Sequence, residues 1–125
     1  MWAIWLFGLF LMESPFVEGT VEDVLNKAEK ENKLVFVDVY TDWCGPCKLL
    51  DKTTFTDQKV MEALSNKVIS FKINAEKGEG IALARKYKVM GYPCFLLLNG
   101  KGELVNRSFG YMPPQTFLHW LENAI

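Results

Sequence analysis

The chain has 125 residues and half of them are hydrophobic, which suits one domain with a buried core. Its 14 basic residues nearly balance 15 acidic ones and are scattered along the chain, so the composition gives no indication of nucleic acid binding. Three cysteines are too few for a scaffold held together by disulfides.

The N-terminal residues 2–12 contain no charged or polar side chain. Such a run is too short to span a bilayer alone, but it fits the apolar core of a secretory signal. No Lys or Arg precedes it, and Glu13-Ser14-Pro15 is not a small-x-small cleavage site. A misassigned start, or an arm packed on the domain, is the alternative.

We predict an export signal or membrane anchor over 1–13 and one domain over 14–125. The protein would then be periplasmic or anchored facing the periplasm, with a cytoplasmic location as the alternative.

The chain after residue 16 alternates strand and helix patterns. Thr20 is a good N-cap for a helix through about Glu31, and the apolar run from Leu34 to Tyr40 reads as a central parallel strand. A helix is expected after Asp57, and a strand over 68–74. The next helix has an apolar stripe formed by Ile81, Leu83, Ala84 and Tyr87. An apolar strand over 94–98, a hairpin turn at 99–102, a half-exposed strand over 103–109 and a helix opened by two prolines follow. This order predicts an α/β sandwich, a sheet flanked by helices.

Two cysteines lie where the first strand gives way to a helix, in the sequence Trp43-Cys44-Gly45-Pro46-Cys47. The first turn of a helix has N–H groups without partners and carries partial positive charge, so a thiolate there is stabilised and attacks disulfides at neutral pH. The second cysteine lies one turn inward and can close a small ring with the first. The pair is therefore predicted to switch between dithiol and disulfide.

Two other interpretations of this pair are weaker. A zinc site needs further ligands, but only Cys94 and His119 remain, and neither has a paired spacing. A structural disulfide closing so short a loop would constrain the unfolded chain little.

Three further side chains are candidates for the chemistry. Asp38 interrupts an apolar strand, so burial should raise its pKa, unless it lies at a wetted strand end. Lys72 could pair with it or could face solvent as an ordinary lysine. Cys94 is expected to be a buried and inert thiol, because apolar neighbours surround it and no helix N-terminus stabilises its thiolate. The alternative is that it exchanges with the cysteine pair.

The segment Val37–Lys48, the later Gly91-Tyr92-Pro93 and the closing Gly110 resemble thioredoxins, over about residues 16–125. The run Thr53-Thr54-Phe55-Thr56-Asp57-Gln58-Lys59-Val60 is similar to the C-terminal thioredoxin-like domain of membrane thiol:disulfide interchange proteins and to small exported relatives. The resemblance implies a thioredoxin fold, with a central mixed sheet and helices on both faces. The chain departs from the usual family pattern at Tyr40, where tryptophan is common, and at Cys94, where threonine is usual.

The resemblance also implies roles for individual residues. Cys44 would be the thiol that attacks the substrate disulfide, and Cys47 would be the thiol that resolves the mixed disulfide. Asp38 would control the proton of Cys47, and Lys72 would neutralise the charge of Asp38. The residues expected around the substrate are Trp43, Gly45, Pro46, Tyr92, Pro93 and Gly110, with Pro93 as a cis proline. Asp51, one turn after Cys47, matches a second acid found near the cysteines of interchange domains, or else is a solvated helix residue.

The predicted function is thiol–disulfide exchange by a Cys-Gly-Pro-Cys dithiol, without a metal or other cofactor. The Gly-Pro pair between the cysteines resembles that of reducing members of the family, which implies the reducing direction. Expected partners are protein disulfides or dithiols and an upstream thiol electron donor, the protein being a monomer that associates with a membrane through residues 2–12. A Cu(I)-binding module that uses Cys44, Cys47 and Cys94 is one alternative, and a disulfide isomerase is another.

Overall fold

The computed structural model describes residues 13–125, so the predicted N-terminal segment lies almost wholly outside the described residues. The elements in chain order are α1 (Val21–Glu31), β1 (Val35–Tyr40), α2 (Gly45–Lys52), α3 (Gln58–Asn66), β2 (Ile69–Asn74), α4 (Glu79–Lys86), β3 (Cys94–Leu98), β4 (Leu104–Phe109) and α5 (Pro114–Ala124). A short 3-10 turn at Thr54–Thr56 connects α2 to the N-cap of α3. These bounds lie within one or two residues of most sequence-based expectations.

The four strands form one mixed sheet in the order β2-β1-β3-β4. The strand β1 pairs in parallel with β2 and antiparallel with β3, and β3 pairs antiparallel with β4. The strand β1 is therefore central, as its apolar sequence predicts, but only one of its two neighbours is parallel. The mixed sheet expected from the resemblance is confirmed.

Each face of the sheet is covered by a separate hydrophobic cluster. On one face, α1 and α4 contribute Val24, Ala28 and Leu83. On the other face, α2, α3 and α5 surround Phe36 and Phe95, a largely aromatic core. Because side chains alternate along a strand, neighbouring residues of β1 point to different clusters.

Local signals explain where several elements begin. Thr20 and Asp23 form a capping box at the start of α1, and the Asp57 side chain accepts a hydrogen bond from Val60 N at the start of α3. The prediction that Ile81 belongs to the apolar stripe of α4 is wrong, because its side chain is 46% exposed. Instead, α4 packs through Leu83 and through Gly80, where a Cβ atom would overlap the main-chain oxygen of Asn74.

Candidate active site

Cys44 and Cys47 form a disulfide at the N-terminus of α2, with their Cα atoms 5.3 Å apart. Cys44 is the N-cap residue, and its Sγ accepts a hydrogen bond of 3.1 Å from the backbone N–H of Cys47. Pro46 occupies the first turn, where its missing N–H costs nothing. Both cysteines are nearly buried, whereas Gly45 and Pro46 between them are exposed. The N–H group of Cys47 in the first turn thus points at Cys44 Sγ.

Asp38 lies in the middle of β1 and is 1% exposed. Its Oδ2 accepts a hydrogen bond of 2.7 Å from Lys72 Nζ, so of the two alternatives for Lys72 the ion pair is the one observed. Burial raises the pKa of Asp38, and the Lys72 ammonium opposes that rise only in part. The second oxygen, Oδ1, has no hydrogen-bonding partner within residues 13–125. This buried oxygen is therefore free to take a proton.

Asp51 connects α2, the helix that begins at the disulfide, to the Asp38–Lys72 ion pair. Its Oδ1 lies 2.9 Å from Lys72 Nζ, while its side chain remains 51% exposed. Cys47 and Asp51 are four residues apart on α2 and therefore share one face of that helix. Asp51 meets Lys72 on this face, so Cys47 lies one helical turn from the residue that contacts the Asp38–Lys72 pair.

Lys72 has two carboxylate partners and is 26% exposed. Burial lowers its pKa, but the ion pairs with Asp38 and Asp51 outweigh burial and leave the pKa raised. Lys72 is therefore a permanent cation at neutral pH.

Trp43, next to the disulfide, is 65% exposed but is held in place. Its indole N–H donates to Glu76 Oε1 at 3.1 Å, and its ring meets the Tyr92 ring edge to face at 5.9 Å. The sequence analysis missed Glu76, because nothing in the turn after β2 marks it as a partner of Trp43. It also missed Asn74, whose side chain donates to Asp42 Oδ1 at 3.0 Å.

The loop before β3 brings the remaining predicted substrate residues together. The Tyr92–Pro93 peptide bond is cis, and Gly110 N donates to Pro93 O at 2.9 Å. Gly110 has φ +86°, a conformation that favours glycine. Tyr92 and Gly110 are half-buried and Trp43 is exposed, and direct contacts link Trp43 to Tyr92 and Gly110 to Pro93.

Cys94 is fully buried and pairs with Val39 across β1 and β3. Both belong to the cluster under α1 and α4, whereas Asp38 and α2 lie on the opposite face. Burial raises the pKa of the Cys94 thiol to about 11, and nearby Arg107 opposes this only partly. The predicted burial is confirmed. Within residues 13–125 no three Cys, His, Asp or Glu side chains converge as a metal site.

Residues 21–125 match the family described as thioredoxin-like domain. The chain is 35% identical over 107 residues to the thiol:disulfide interchange protein DsbD of Escherichia coli K12, which covers 82% of this chain and 19% of DsbD. It is 33% identical over 122 residues to DsbD of Salmonella typhimurium, covering 90% of this chain and 22% of that protein. The chain thus spans about a fifth of the curated relatives that it matches.

Two solved structures are similar over most of their length. A Bacteroides thetaiotaomicron protein, assigned provisionally as a disulphide isomerase, has a TM-score of 0.78 and 39% identity, covering 87% of this chain and 90% of that one. The oxidised C-terminal domain of Neisseria meningitidis DsbD has a TM-score of 0.69 and 25% identity, covering 84% and 93%. The fold is therefore the thioredoxin fold. No helix in the described part of the chain has the length and apolar character needed to cross a membrane.

Proposed function

Because the chain belongs to the thioredoxin-like domain family, we propose that it is a protein thiol–disulfide oxidoreductase whose redox centre is the Cys44–Cys47 pair. One observation carries the proposal: the disulfide caps α2, and an N–H group of the first turn points at Cys44 Sγ. The same donor and the positive end of the α2 dipole would stabilise a Cys44 thiolate after reduction. No cofactor other than this disulfide is required.

The proposed cycle begins with the reduced pair. The Cys44 thiolate attacks one sulfur of a substrate disulfide, forming a mixed disulfide and releasing one substrate thiolate, which takes a proton from solvent. Cys47 then loses its proton and its thiolate attacks Cys44 Sγ. The second substrate sulfur leaves as a thiolate, which takes a proton, and the Cys44–Cys47 disulfide forms again. Two electrons have passed to the substrate, and an upstream thiol donor must return them.

The resolving step needs a base for the Cys47 proton, and we assign that role to Asp38 through its unpaired Oδ1. A base is most useful when its pKa is close to the working pH, and burial moves the pKa of Asp38 in that direction. Lys72 keeps the carboxylate from becoming an uncompensated buried charge. Asp51 holds Lys72 from the solvent side.

The proposed substrate surface consists of the exposed and half-buried residues around the disulfide. An extended substrate segment would lie along the backbone of Tyr92 and Pro93, with Gly110 behind them and Trp43 beside them. Gly45 and Pro46 are exposed between the cysteines and leave room for the approaching disulfide. Protein disulfides, which present extended chain, fit such a surface.

An isomerase is the second candidate, and the similarity to the Bacteroides protein is the observation that favours it. The two activities share the mixed disulfide but differ in how that intermediate is resolved. A reductase resolves it with Cys47, whereas an isomerase lets a substrate thiol attack it. The unpaired base under α2 favours resolution by Cys47, and therefore reduction.

We also propose that residues 1–13 direct or anchor the protein so that the domain works outside the cytoplasm as a monomer. The support is the unbroken apolar run over 2–12, together with its high content of Trp and Phe. Fractionation of cells that produce the full chain, compared with a chain in which residues 2–12 are replaced by a polar linker, tests this location.

The activity itself is tested with a protein disulfide substrate and a small dithiol as electron donor. Wild type should reduce the substrate in many turnovers, Cys44→Ser should be inactive, and Cys47→Ser should accumulate a covalent complex with substrate. Cys94→Ala is the matched control, because it removes a thiol on the other face of the sheet. Normal turnover by Cys44→Ser would contradict the proposal, and so would loss of turnover in the Cys94 control alone.

A further inference from the structure

Three aromatic rings enclose the ammonium group of Lys72. Its Nζ lies 4.9 Å from the ring centroid of Tyr40, 5.1 Å from that of Phe16 and 5.5 Å from that of Phe55. A cation within about 6 Å of a ring centroid is attracted by the negative face of the ring. Lys72 is thus held by the rings on its flanks as well as by its two carboxylate partners.

Phe16 differs from the other two rings in its origin. Tyr40 ends β1 and Phe55 lies in the turn between α2 and α3, so both belong to the body of the domain. Phe16 belongs to the segment that precedes α1. A parallel bridge to Ser70 and a hydrogen bond of 2.8 Å from Val17 N to Ser70 O hold this segment on the edge of β2.

A bridge and a hydrogen bond hold the backbone of this segment, and the Phe16 ring itself packs against the domain. It meets the Phe55 ring edge to face at 5.3 Å, and it is half-buried. A recess of about 430 Å³ opens beside Phe16 and Tyr40 and reaches Lys72. Removal of the ring would widen this recess and admit water to the ammonium group.

We infer that Phe16 is a positioning residue of the redox site, which acts through Lys72 on the ionisation of Asp38. The inference rests on the proposed function, because it gives Asp38 the role of base for Cys47. With the ring in place, Lys72 is confined over Asp38. Without it, Lys72 is more hydrated and spends less time in the ion pair, so Asp38 binds its proton more tightly. The segment Ser14–Val17 thereby contributes to the rate at which the mixed disulfide is resolved.

The ionisation of Asp38 is measured first in the oxidised protein, by carbon NMR of labelled aspartate across a pH series. Cys44 and Cys47 do not titrate in this form, so the charged groups facing Asp38 are Lys72 and Asp51, while the buried Cys94 thiol lies on the opposite face of the sheet. We expect Phe16→Leu and Phe16→Met to increase the proton affinity of Asp38 by about threefold, the scale of one partly exposed cation–ring contact. Phe16→Tyr keeps the ring and should titrate like wild type.

Val17→Ala is the matched control for loosening of the segment. Val17 is adjacent to Phe16 but packs against the cluster under α1 and α4. The Val17→Ala substitution should therefore leave the titration of Asp38 unchanged. Equal shifts in Val17→Ala and Phe16→Leu, or no shift in any Phe16 variant, would overturn the inference. In a Lys72→Met background Phe16→Leu should have no further effect, and a persisting shift would show that Phe16 does not act through Lys72.

The functional consequence is then measured in the reduced protein. The pH profile of mixed-disulfide resolution should move to higher pH in Phe16→Leu, with the rate of the first attack by Cys44 unchanged. An unchanged profile beside a shifted Asp38 titration would overturn the claim that Phe16 influences turnover. Absence of disulfide reduction in wild type would instead contradict the proposed function, and the NMR result would still decide whether Phe16 controls Asp38.

Discussion

Asp38 and Lys72 are directly paired residues on the neighbouring parallel strands β1 and β2, and their side chains meet at 2.7 Å on the face covered by α2. The register of the sheet therefore builds the ion pair, with no contribution from a loop. Lys72 also pairs with Asp51 of α2, so its ammonium group connects α2 to the sheet. These two ion pairs hold Asp38, Lys72 and α2 in fixed positions relative to one another.

The first prediction concerns Asp38→Asn. Its folded pKa is raised above the unfolded value, mainly by burial, so the native carboxyl binds its proton more tightly than the unfolded one does. The stability of wild type should therefore fall as pH rises from about 4 through the folded pKa of Asp38. Asp38→Asn should lack this fall and be more stable at neutral pH, by about 1.4 kcal/mol for each unit by which folding raises the pKa of Asp38. Lys72 does not reverse the sign, because it offsets burial only in part.

Denaturant melts at several pH values test this prediction, with single-turnover kinetics of the resolving step alongside. The stability difference between variant and wild type should shrink at acid pH, and resolution should be slowed in the variant. A variant that is less stable than wild type at neutral pH, with normal resolution, would make Asp38 a structural hydrogen-bond partner only.

The second prediction compares Lys72→Met with Asp51→Asn. Loss of Lys72 leaves Asp38 buried without its cation, which should cost about 2–4 kcal/mol at neutral pH and less at acid pH. Asp51 is half-exposed and its pair with Lys72 is screened by water, so Asp51→Asn should cost no more than about 1 kcal/mol. Urea melts of both variants at neutral and acid pH measure the difference. Equal losses in the two variants would mean that Asp38 does not depend on Lys72.

The third prediction concerns Gly80 on α4. An added Cβ would overlap the main-chain oxygen of Asn74 at the end of β2, so the helix or the strand must move. Overpacking of this kind costs typically about 1–3 kcal/mol, and we expect Gly80→Ala to be destabilised by this amount. Gly91→Ala is the control, since a Cβ there meets no atom within 4 Å. Thermal melts should show a clear loss for the first variant and little change for the second.

The sequence was sufficient to predict the sheet, the helices and the position of the cysteine pair, because periodicity, caps and turn residues are local signals. It left two alternatives for Lys72, because whether a strand residue faces a helix or solvent depends on what packs against that face. The enclosure of Lys72 by Phe16, Tyr40 and Phe55 joins three distant segments, and no local pattern reports it. The prediction for Ile81 is wrong because an apolar side chain at helical spacing can still lie on the exposed side of a short helix.

The last prediction concerns Cys94. Its side chain is fully buried in the cluster under α1 and α4, and burial raises the pKa of the thiol to about 11. A thiol must be both ionised and accessible to react, so Cys94 should resist alkylation in the native protein near pH 8. Cys44 should be labelled first after reduction. Mass spectrometry of peptides after timed alkylation measures both rates, and denaturant should make Cys94 as reactive as an ordinary cysteine. Cys94→Ala should lose roughly 1 kcal/mol through the small cavity that it leaves, with disulfide reduction unchanged. Rapid native labelling of Cys94, or a disulfide between Cys94 and Cys44 in the oxidised protein, would show that the sheet does not separate the third thiol from the redox pair.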